Sequence, residues 1–586
     1  MDIFNVLELI GGLVLFLYGM DFMGDSLKKL AGGKLESILA KVTSKKFLGF
    51  LLGFVVTAVI QSSSATTVML VGFVNSGIMK LGQTMGVILG ANIGTTVTAW
   101  LLSTTGISAG ASFILKLLKP ESFTPVLALI GFLLMLMSKK DKRKNLGAIF
   151  IGFAILMFGM SAMSDAVSGL RNSQLFENLL LSLKNPVLGI IVGTIFTAII
   201  QSSSASVGVL QALSTTGLMP MSVALPIILG QNIGTTITPI ISSLSGNIEA
   251  KRVAFSCLYI KMIGVIVLTG AFYALNAFIG FDFMNDLANP LNIAAAHTLY
   301  NVLATLLLMP FTSLIEKLAI ITIRSKKEEQ EKDAFATLDM RFLDMPSFAV
   351  EKAKELVCQM ADLSQQEFNK ATALLDNYSD ESFSEVAALE AKIDKYEDKI
   401  STYLVKVAET NLSVKDSRTV TELLHCIGDI ERISDHALNI AETAQEINEK
   451  KIKFSDKAYE DITIIKNAVT EILSIAVEAL VNDDLDAAKR VEPLEQVIDR
   501  LNRKIKNGHI SRLRQGDCTM ELGFILADLL TNYERISDHC SNIAVCFIEI
   551  AHDSFETHEY LNQIKSGEEN EFATMYQDFK QKYYIE

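Results

Sequence analysis

Proline, tryptophan and cysteine are all scarce in this chain of 586 residues, at ten, one and six. The cysteines (Cys257, Cys358, Cys426, Cys518, Cys540 and Cys546) form no CxxC pair and are too sparse for a disulfide-braced secreted scaffold. Five fall in the second half, which therefore reads as facing a reducing compartment. Charge is absent over long windows of the first half. No Asp, Glu, Lys or Arg occurs from Phe47 to Met79, from Leu81 to Leu115, or across the 64 residues from Asn185 to Ile248. A membrane-spanning helix needs about 20 such residues, so the longest window holds about three passes. These windows exclude a soluble enzyme, a nucleic-acid binder and a disordered chain. No basic stretch precedes the first apolar run, where Asp2 and Glu8 stand instead. The N-terminus therefore reads as a resident membrane segment, not a cleaved signal.

The charge balance changes sign near residue 330. Residues 1–330 carry 23 Lys+Arg against 15 Asp+Glu, and residues 331–586 carry 29 against 50. The expected architecture is all-α: a polytopic helical membrane domain over 1–325, a linker over 326–344, and an acidic helical domain over 345–586 ending in a helical tail.

A fixed offset of 140 residues repeats the membrane half on itself. Gly12, Gly19, Met20, Met23, Asp25 and Leu30 recur as Gly152, Gly159, Met160, Met163, Asp165 and Leu170. Gln61-Ser62-Ser63-Ser64-Ala65 recurs as Gln201-Ser202-Ser203-Ser204-Ala205, and Asn92-Ile93-Gly94-Thr95-Thr96 as Asn232-Ile233-Gly234-Thr235-Thr236. Repeat 1 runs over about 5–138 and repeat 2 over about 145–320. Cytoplasmic loops are rich in Lys and Arg. Lys28, Lys29, Lys34, Lys41, Lys45 and Lys46 follow the first segment of copy one, whereas only Arg171 and Lys184 follow that of copy two. Lys139, Lys140, Lys142, Arg143 and Lys144 stand just before copy two. The copies therefore enter from opposite sides, as an inverted-topology repeat with its site at the repeat interface. Further spans are expected near 123–138, 254–278 and 291–322. The last exits into Lys317, Arg324, Lys326 and Lys327, which places the acidic domain in the cytoplasm.

Gln-Ser-Ser-Ser in the middle of an uncharged window suits a discontinuous, re-entrant helix, since irregular backbone at membrane depth must line a protein cavity. Serine caps helix N-termini, and the free amides there attract anions. Half-helices starting at Ser62 and Ser202 from opposite sides would offer two donor sets to a tetrahedral oxyanion. Asn, Gln and Thr oxygens, with carbonyls freed at a helix break, are hard neutral ligands for Na⁺, and GANIGTT (90–96) and GQNIGTT (230–236) have that chemistry. Close packing of small residues would account for one such motif, but not for two pairs at one offset. Lys251-Arg252 read as a cytoplasmic loop anchor. His297, entering the last span, is either a functional intramembrane group or a hydrogen-bonded structural one.

QSSSATT at 61–67, QSSSASV at 201–207 and the paired GANIGTT and GQNIGTT resemble the type II sodium/phosphate cotransporter family over about residues 5–320. The resemblance implies sodium-driven symport of inorganic phosphate. Phosphate would lie at Gln61, Ser62, Ser63, Ser64, Gln201, Ser202, Ser203 and Ser204. Sodium would lie at Asn92, Thr95, Thr96, Asn232, Thr235 and Thr236, with Gln61 and Gln201 shared. The second copy departs from the first at Ser206-Val207 (against Thr66-Thr67) and Gln231 (against Ala91), which leaves stoichiometry open. Export, transport of another tetrahedral oxyanion, and a membrane-tethered phosphate sensor remain alternatives.

The acidic half repeats at an offset of 103: Glu431-Arg-Ile-Ser-Asp435-His436 recurs as Glu534-Arg-Ile-Ser-Asp538-His539. Glu390-x-x-x-Asp394 has a counterpart in Glu495-x-x-x-Asp499. That spacing puts both carboxylates on one helix face, and packed helices would present clusters for Mg²⁺, Mn²⁺ or iron. Surface ion pairing is the competing reading. The ERISDH pair resembles the PhoU family over about 345–550, which implies two three-helix bundles, metal ions held by these carboxylates, and a regulatory role tied to phosphate. A homo-oligomer or a regulatory protein is the expected partner of this half. The chain holds no nucleophile–base set and no phosphate-cradling Gly-rich loop, so no enzymatic activity is expected.

Overall fold

The computed structural model describes residues 3–31, 46–104, 120–138, 140–168, 174–324, 334–516, 518–551 and 570–585, with residues 38 and 170 besides. Lys34, Lys41, Lys45, Lys139, Arg171, Lys326, Lys327 and the start of the expected linker lie outside the described residues. The chain forms two units, Met1–Phe348 and Ala349–Glu586. The described residues are helical throughout, apart from turns and one isolated bridge between Pro220 and Leu287.

In unit 1 the 140-residue offset is a structural repeat. The first copy holds α1 (Ile3–Ala31), α2 (Lys46–Ile60), α3 (Ser63–Asn75), α4 (Leu81–Gly94), α5 (Thr96–Ser103) and α6 (Pro120–Met137). The second holds α7 (Asp141–Ser168), a short α8 (Gln174–Ser182), α9 (Pro186–Ile200), α10 (Ser203–Ser214), α11 (Met221–Gly234), α12 (Ile237–Ser243) and α13 (Ile248–Ile279). Two further helices follow, α14 (Pro290–Leu308) and α15 (Thr312–Thr322). Six helical stretches among the described residues are long and apolar enough to cross a membrane. By contrast α2, at 15 residues, and α3, at 13, each reach only about 20 Å, short of the ~30 Å hydrocarbon core. They form a re-entrant hairpin, as do α9 and α10.

The symmetry between the copies is visible where α1 and α7 cross. A methyl group on Gly12 would strike the backbone at Gly159 and Met163, and one on Gly19 the backbone at Gly152 and Leu156, 2.3 Å from the Leu156 nitrogen. Gly159 is the repeat mate of Gly19, and Gly152 that of Gly12. Equivalent helices therefore run antiparallel about a pseudo-two-fold axis, which is what an inverted repeat requires.

Lys251 and Arg252 lie within the first two turns of α13 rather than in a loop, because Asn247 caps the helix there by accepting from the Ala250 amide at 2.9 Å. Arg252 donates to the Ile323 carbonyl at 3.0 Å and pairs with Glu249. The second part of the expected linker packs into unit 1. Phe342 and Phe348 pack tilted against Phe73 at centroid distances of 5.7 and 5.0 Å, and Phe342 fills the space left by Gly72. Asn75 Nδ2 donates to Asp339 at 2.7 Å, and Arg341 to the Ser242 carbonyl at 3.2 Å. An apolar, aromatic segment has no reason to remain a solvated tether.

Unit 2 consists of two three-helix bundles: α16 (Pro346–Leu374, from Ala349 onward), α17 (Asp380–Ala408) and α18 (Val414–Glu449), then α19 (Asp456–Asn482), α21 (Val491–Gln515) and α22 (Met520–Ala551). A short α20 (Leu485–Lys489) precedes α21, and α23 (Asn570–Lys582) packs on α21. Ser379, Ser413 and Ser455 cap α17, α18 and α19, each satisfying an otherwise orphaned amide.

Candidate functional site

Both re-entrant hairpins turn at a glutamine in the left-handed region, with φ 60° at Gln61 and at Gln201. Each closes its helix through its own amide, Gln61 to the Thr57 carbonyl and Gln201 to the Thr197 carbonyl, both at 2.7 Å. A non-glycine residue in this conformation costs on the order of 1–3 kcal/mol, and such strain collects at functional sites. Here it occurs twice, at equivalent positions. Ser62 and Ser202 then cap α3 and α10, accepting from Ala65 N at 3.1 Å and Ala205 N at 3.2 Å. The hairpin arms are tied by hydroxyl pairs, Thr57–Thr66 at 2.9 Å and Thr197–Ser206 at 2.7 Å.

These turns bring the two motifs together. Ser64 Oγ donates to the Gln201 carbonyl at 3.4 Å, and Ser204 Oγ to the Gln61 carbonyl at 3.5 Å. The N-termini of α3 and α10 therefore open onto one place, bringing serine hydroxyls and free amides from both sides. Gln61, Ser63, Ser64, Ser203 and Ser204 are buried, Ser62 and Ser202 half-buried, and Gln201 exposed. The Gln61 Oε1 atom is buried with no hydrogen-bond partner among the described residues. A water-shielded anion is favoured by such donors in proportion to its charge.

The Asn-Ile-Gly-Thr-Thr motifs flank this place and divide their labour. Their glycines serve packing: a methyl group on Gly90 would lie 1.9 Å from the Phe50 carbonyl oxygen, and one on Gly230 2.0 Å from that of Ile190. The expected helix break is only a kink. Thr95 alone separates α4 from α5 and keeps helical angles, because its hydroxyl and amide both bond the Ala91 carbonyl, at 3.0 and 3.1 Å. Thr96, Thr235 and Thr236 likewise donate back into their helices. Each hydroxyl spends its proton there and keeps its oxygen lone pairs for a cation. The two asparagines differ. Asn232 donates to the Ile228 carbonyl at 3.0 Å, and its Oδ1 accepts from Lys261 Nζ at 3.1 Å. No side-chain hydrogen bond of Asn92 is present among the described residues. Lys261 was not singled out by sequence. Its signal was a lone lysine inside the expected 254–278 span, where an intramembrane charge is a functional candidate by default. His297 is buried on α14 with Nδ1 unpartnered among the described residues.

In unit 2, oxygens of Glu390, Asp394 and Asp435 lie within 4.8 Å of one another, and so do those of Glu495, Asp499 and Asp538. Each trio takes two carboxylates from the bundle's second helix and one from its third. Burial and then mutual repulsion raise the carboxyls of Glu390 and Asp435 above their usual range, and burial raises that of Asp538. A hard divalent cation would remove that penalty, so the donor set fits one. Glu431 stands beside the first trio, pushed up by burial, Asp435 and Asp394. Glu534 turns aside to Asn502 Nδ2 at 2.5 Å and Lys506 at 3.6 Å. What meets between the bundles is a histidine pair. His436 and His539 stack at 5.8 Å; His436 Nδ1 bonds Asn532 Oδ1 and His539 Nδ1 bonds Asp429 Oδ1, both at 2.9 Å.

Comparison with known proteins agrees with this division. The Na+/Pi-cotransporter family model matches residues 15–165 and again 155–285, and the PhoU domain model matches 357–444 and 462–546. A Salmonella typhimurium protein named for inorganic phosphate export is 24% identical over 564 residues, covering 95% of this chain and all of its own. An uncharacterized protein of Bacillus subtilis is 30% identical over 315 residues, 54% of this chain and 97% of that one. Sodium-dependent phosphate transport protein 2B of Pongo abelii is 25% identical over 255 residues, 40% of this chain and 31% of its own. The chain thus belongs to the Na+/Pi-cotransporter family of multi-pass phosphate transporters and carries a doubled PhoU domain at its C-terminal end.

Proposed function

We propose that this protein is a sodium-coupled symporter of inorganic phosphate. The observation that carries the reading is the reciprocal pair Ser64–Gln201 and Ser204–Gln61, which faces two helix N-termini across one site. Phosphate would bind there to Gln61, Ser62, Ser63, Ser64 and their mates Gln201, Ser202, Ser203 and Ser204. Sodium would be held by Asn92, Thr95, Thr96, Asn232, Thr235 and Thr236, reached from Gln61 and Gln201. Oxygen-rich neutral ligands suit Na⁺, and its charge offsets the phosphate's in a site whose motifs carry no Lys or Arg. Unit 2 would lie in the cytoplasm and regulate transport, its carboxylate trios holding divalent or iron ions.

Radiolabelled phosphate uptake by proteoliposomes, with and without an inward sodium gradient, tests this. Uptake should follow the gradient; flux that ignores sodium would overturn the coupling, and no flux would favour a sensor. Export is the second reading, favoured by the Salmonella relative, which matches this chain along its full length. It predicts that phosphate loaded inside leaves faster than outside phosphate enters under the same gradient.

A further inference from the structure

Lys261 lies in α13 with its side chain buried, and its ammonium meets no carboxylate among the described residues. An unpaired buried cation at membrane depth is expensive and is retained where it faces a cavity or an ion path. Its location is informative. One turn earlier on α13, Cys257 meets the Thr67 side chain of the first QSSSATT segment. Lys261 Nζ itself donates to Asn232 Oδ1 at 3.1 Å, inside the second cation motif. The helix carrying it therefore reaches both copies of the site.

The second observation is the asymmetry between two motifs that share Asn-Ile-Gly-Thr-Thr. The Asn232 carboxamide is committed on both ends, nitrogen to Ile228 and oxygen to Lys261. The Asn92 carboxamide, buried to the same degree, is engaged by nothing among the described residues. Gln231 stands where copy one has Ala91, and bonds the Ser206 carbonyl at 3.0 Å, so the second motif is also pinned to α10. One motif is open to an incoming cation, and the other already has a cation on its oxygen.

We propose that the Lys261 ammonium is a built-in cation that stands at Asn232 in place of one transported sodium, leaving the Asn92 motif as the mobile sodium site. The inference rests on the sodium-coupled reading above and narrows it, taking Asn232, Thr235 and Thr236 out of the sodium set: the phosphate's charge would be offset partly by a fixed group, so fewer sodium ions accompany each phosphate than two equivalent motifs would carry.

The test is dual-label flux in proteoliposomes of the full chain, reading sodium moved per phosphate. Lys261→Gln should raise that ratio by one sodium and steepen the sodium activation curve, and Lys261→Arg should keep the parent ratio. An unchanged ratio in a folded Lys261→Gln protein overturns the proposal. Should that variant not fold, Asn92→Ala and Asn232→Ala decide. Loss of the Asn92 oxygen should shift half-activation by sodium roughly tenfold or more upward, whereas loss of the Asn232 oxygen should lower phosphate flux without that shift. Equal shifts overturn the proposal. If parent flux ignores sodium, the symport reading itself falls; a sodium requirement newly created by Lys261→Gln would then still uphold the built-in cation, and its absence would end it.

Discussion

Units 1 and 2 are both doubled helical segments, and the doubling has opposite results in the two. In unit 1 the repeated motif lies on the pseudo-two-fold axis, so Gln61–Ser64 and Gln201–Ser204 meet and make one site from two halves. In unit 2 the repeated carboxylates lie off the junction, so Glu390, Asp394 and Asp435 remain in one bundle and Glu495, Asp499 and Asp538 in the other. The residues at that junction are His436 and His539, which stack and anchor each other's helix. Distance from the symmetry axis decides whether a duplication yields one shared site or two independent ones. Damage should propagate accordingly.

The sharpest break of this comparison is topological. Cysteines placed at Lys28 and at Ser168, equivalent positions in α1 and α7, should label from opposite sides of the membrane with an impermeant thiol reagent. Labelling from one side would remove the antiparallel relation that makes the site shared. Next in size is the site itself. Ser63→Ala and Ser203→Ala each delete a donor to a charged ligand, worth about 1.5–3 kcal/mol, so either alone should weaken phosphate transport roughly tenfold or more. A dead Ser63→Ala beside a normal Ser203→Ala would show that the halves are not shared.

Unit 2 should behave the other way. Asp394→Asn should remove about half of the Mn²⁺ bound per chain and Asp499→Asn the other half, the two losses adding as they do for separated sites. Metal analysis of full-length protein reads this directly; total loss from one substitution would mean a single shared cluster. Sodium-dependent flux should persist in both variants, because these carboxylates lie outside unit 1.

The smallest effect concerns one buried acid. Glu367 is fully buried; burial pushes its carboxyl up to about 8, and a hydrogen bond from Ser434 recovers only part. An unfolded glutamate titrates near 4.3. The folded state therefore binds this proton more tightly, and stability present below about pH 4 is lost as pH rises towards 8, at up to ~1.4 kcal/mol per pH unit. In chelator, Glu367→Gln should gain in Tm relative to the parent between pH 6 and pH 8. A parent-minus-variant difference that stays flat would mean that Glu367 is ionised at neutral pH.

Much of this was legible in the sequence because duplication leaves a register. The 140-residue offset predicted the repeat, the opposed charges its inversion, and QSSS the re-entrant turns. Other features depend on distant contacts. The left-handed Gln61 and Gln201 are not residues that announce a positive φ. GANIGTT reads as a helix break, but Gly90 seats α4 on the Phe50 carbonyl, and the Thr95 hydroxyl and amide hold the chain in helical angles. Glu431 and Glu534 occupy matching sequence positions, yet only the latter has Asn502 and Lys506 within reach. Lys261 becomes meaningful only when α11 brings Asn232 against it.

The aromatic segment at 340–348 gives α3 a mechanical property that its twin lacks. The first turn of α3 holds Ser63 and Ser64, while its last two turns are clamped by Phe342 over Gly72 and by Asp339 on Asn75. A 13-residue helix is a stiff rod of about 20 Å, so a tug at one end is felt at the other. In the second copy the turn between α10 and α11 is held instead by main-chain bonds of the 286–288 loop, Met221 to Asp286 at 2.9 Å and Ala288 to Met219 at 2.7 Å. The chain leading to Phe348 is therefore tied to the helix that carries Ser63 and Ser64, with Phe342 over Gly72 and Asp339 on Asn75. Phe342 is fully buried, and truncating it to Ala should cost on the order of 3–5 kcal/mol, so this contact is a substantial part of what seats the far end of α3.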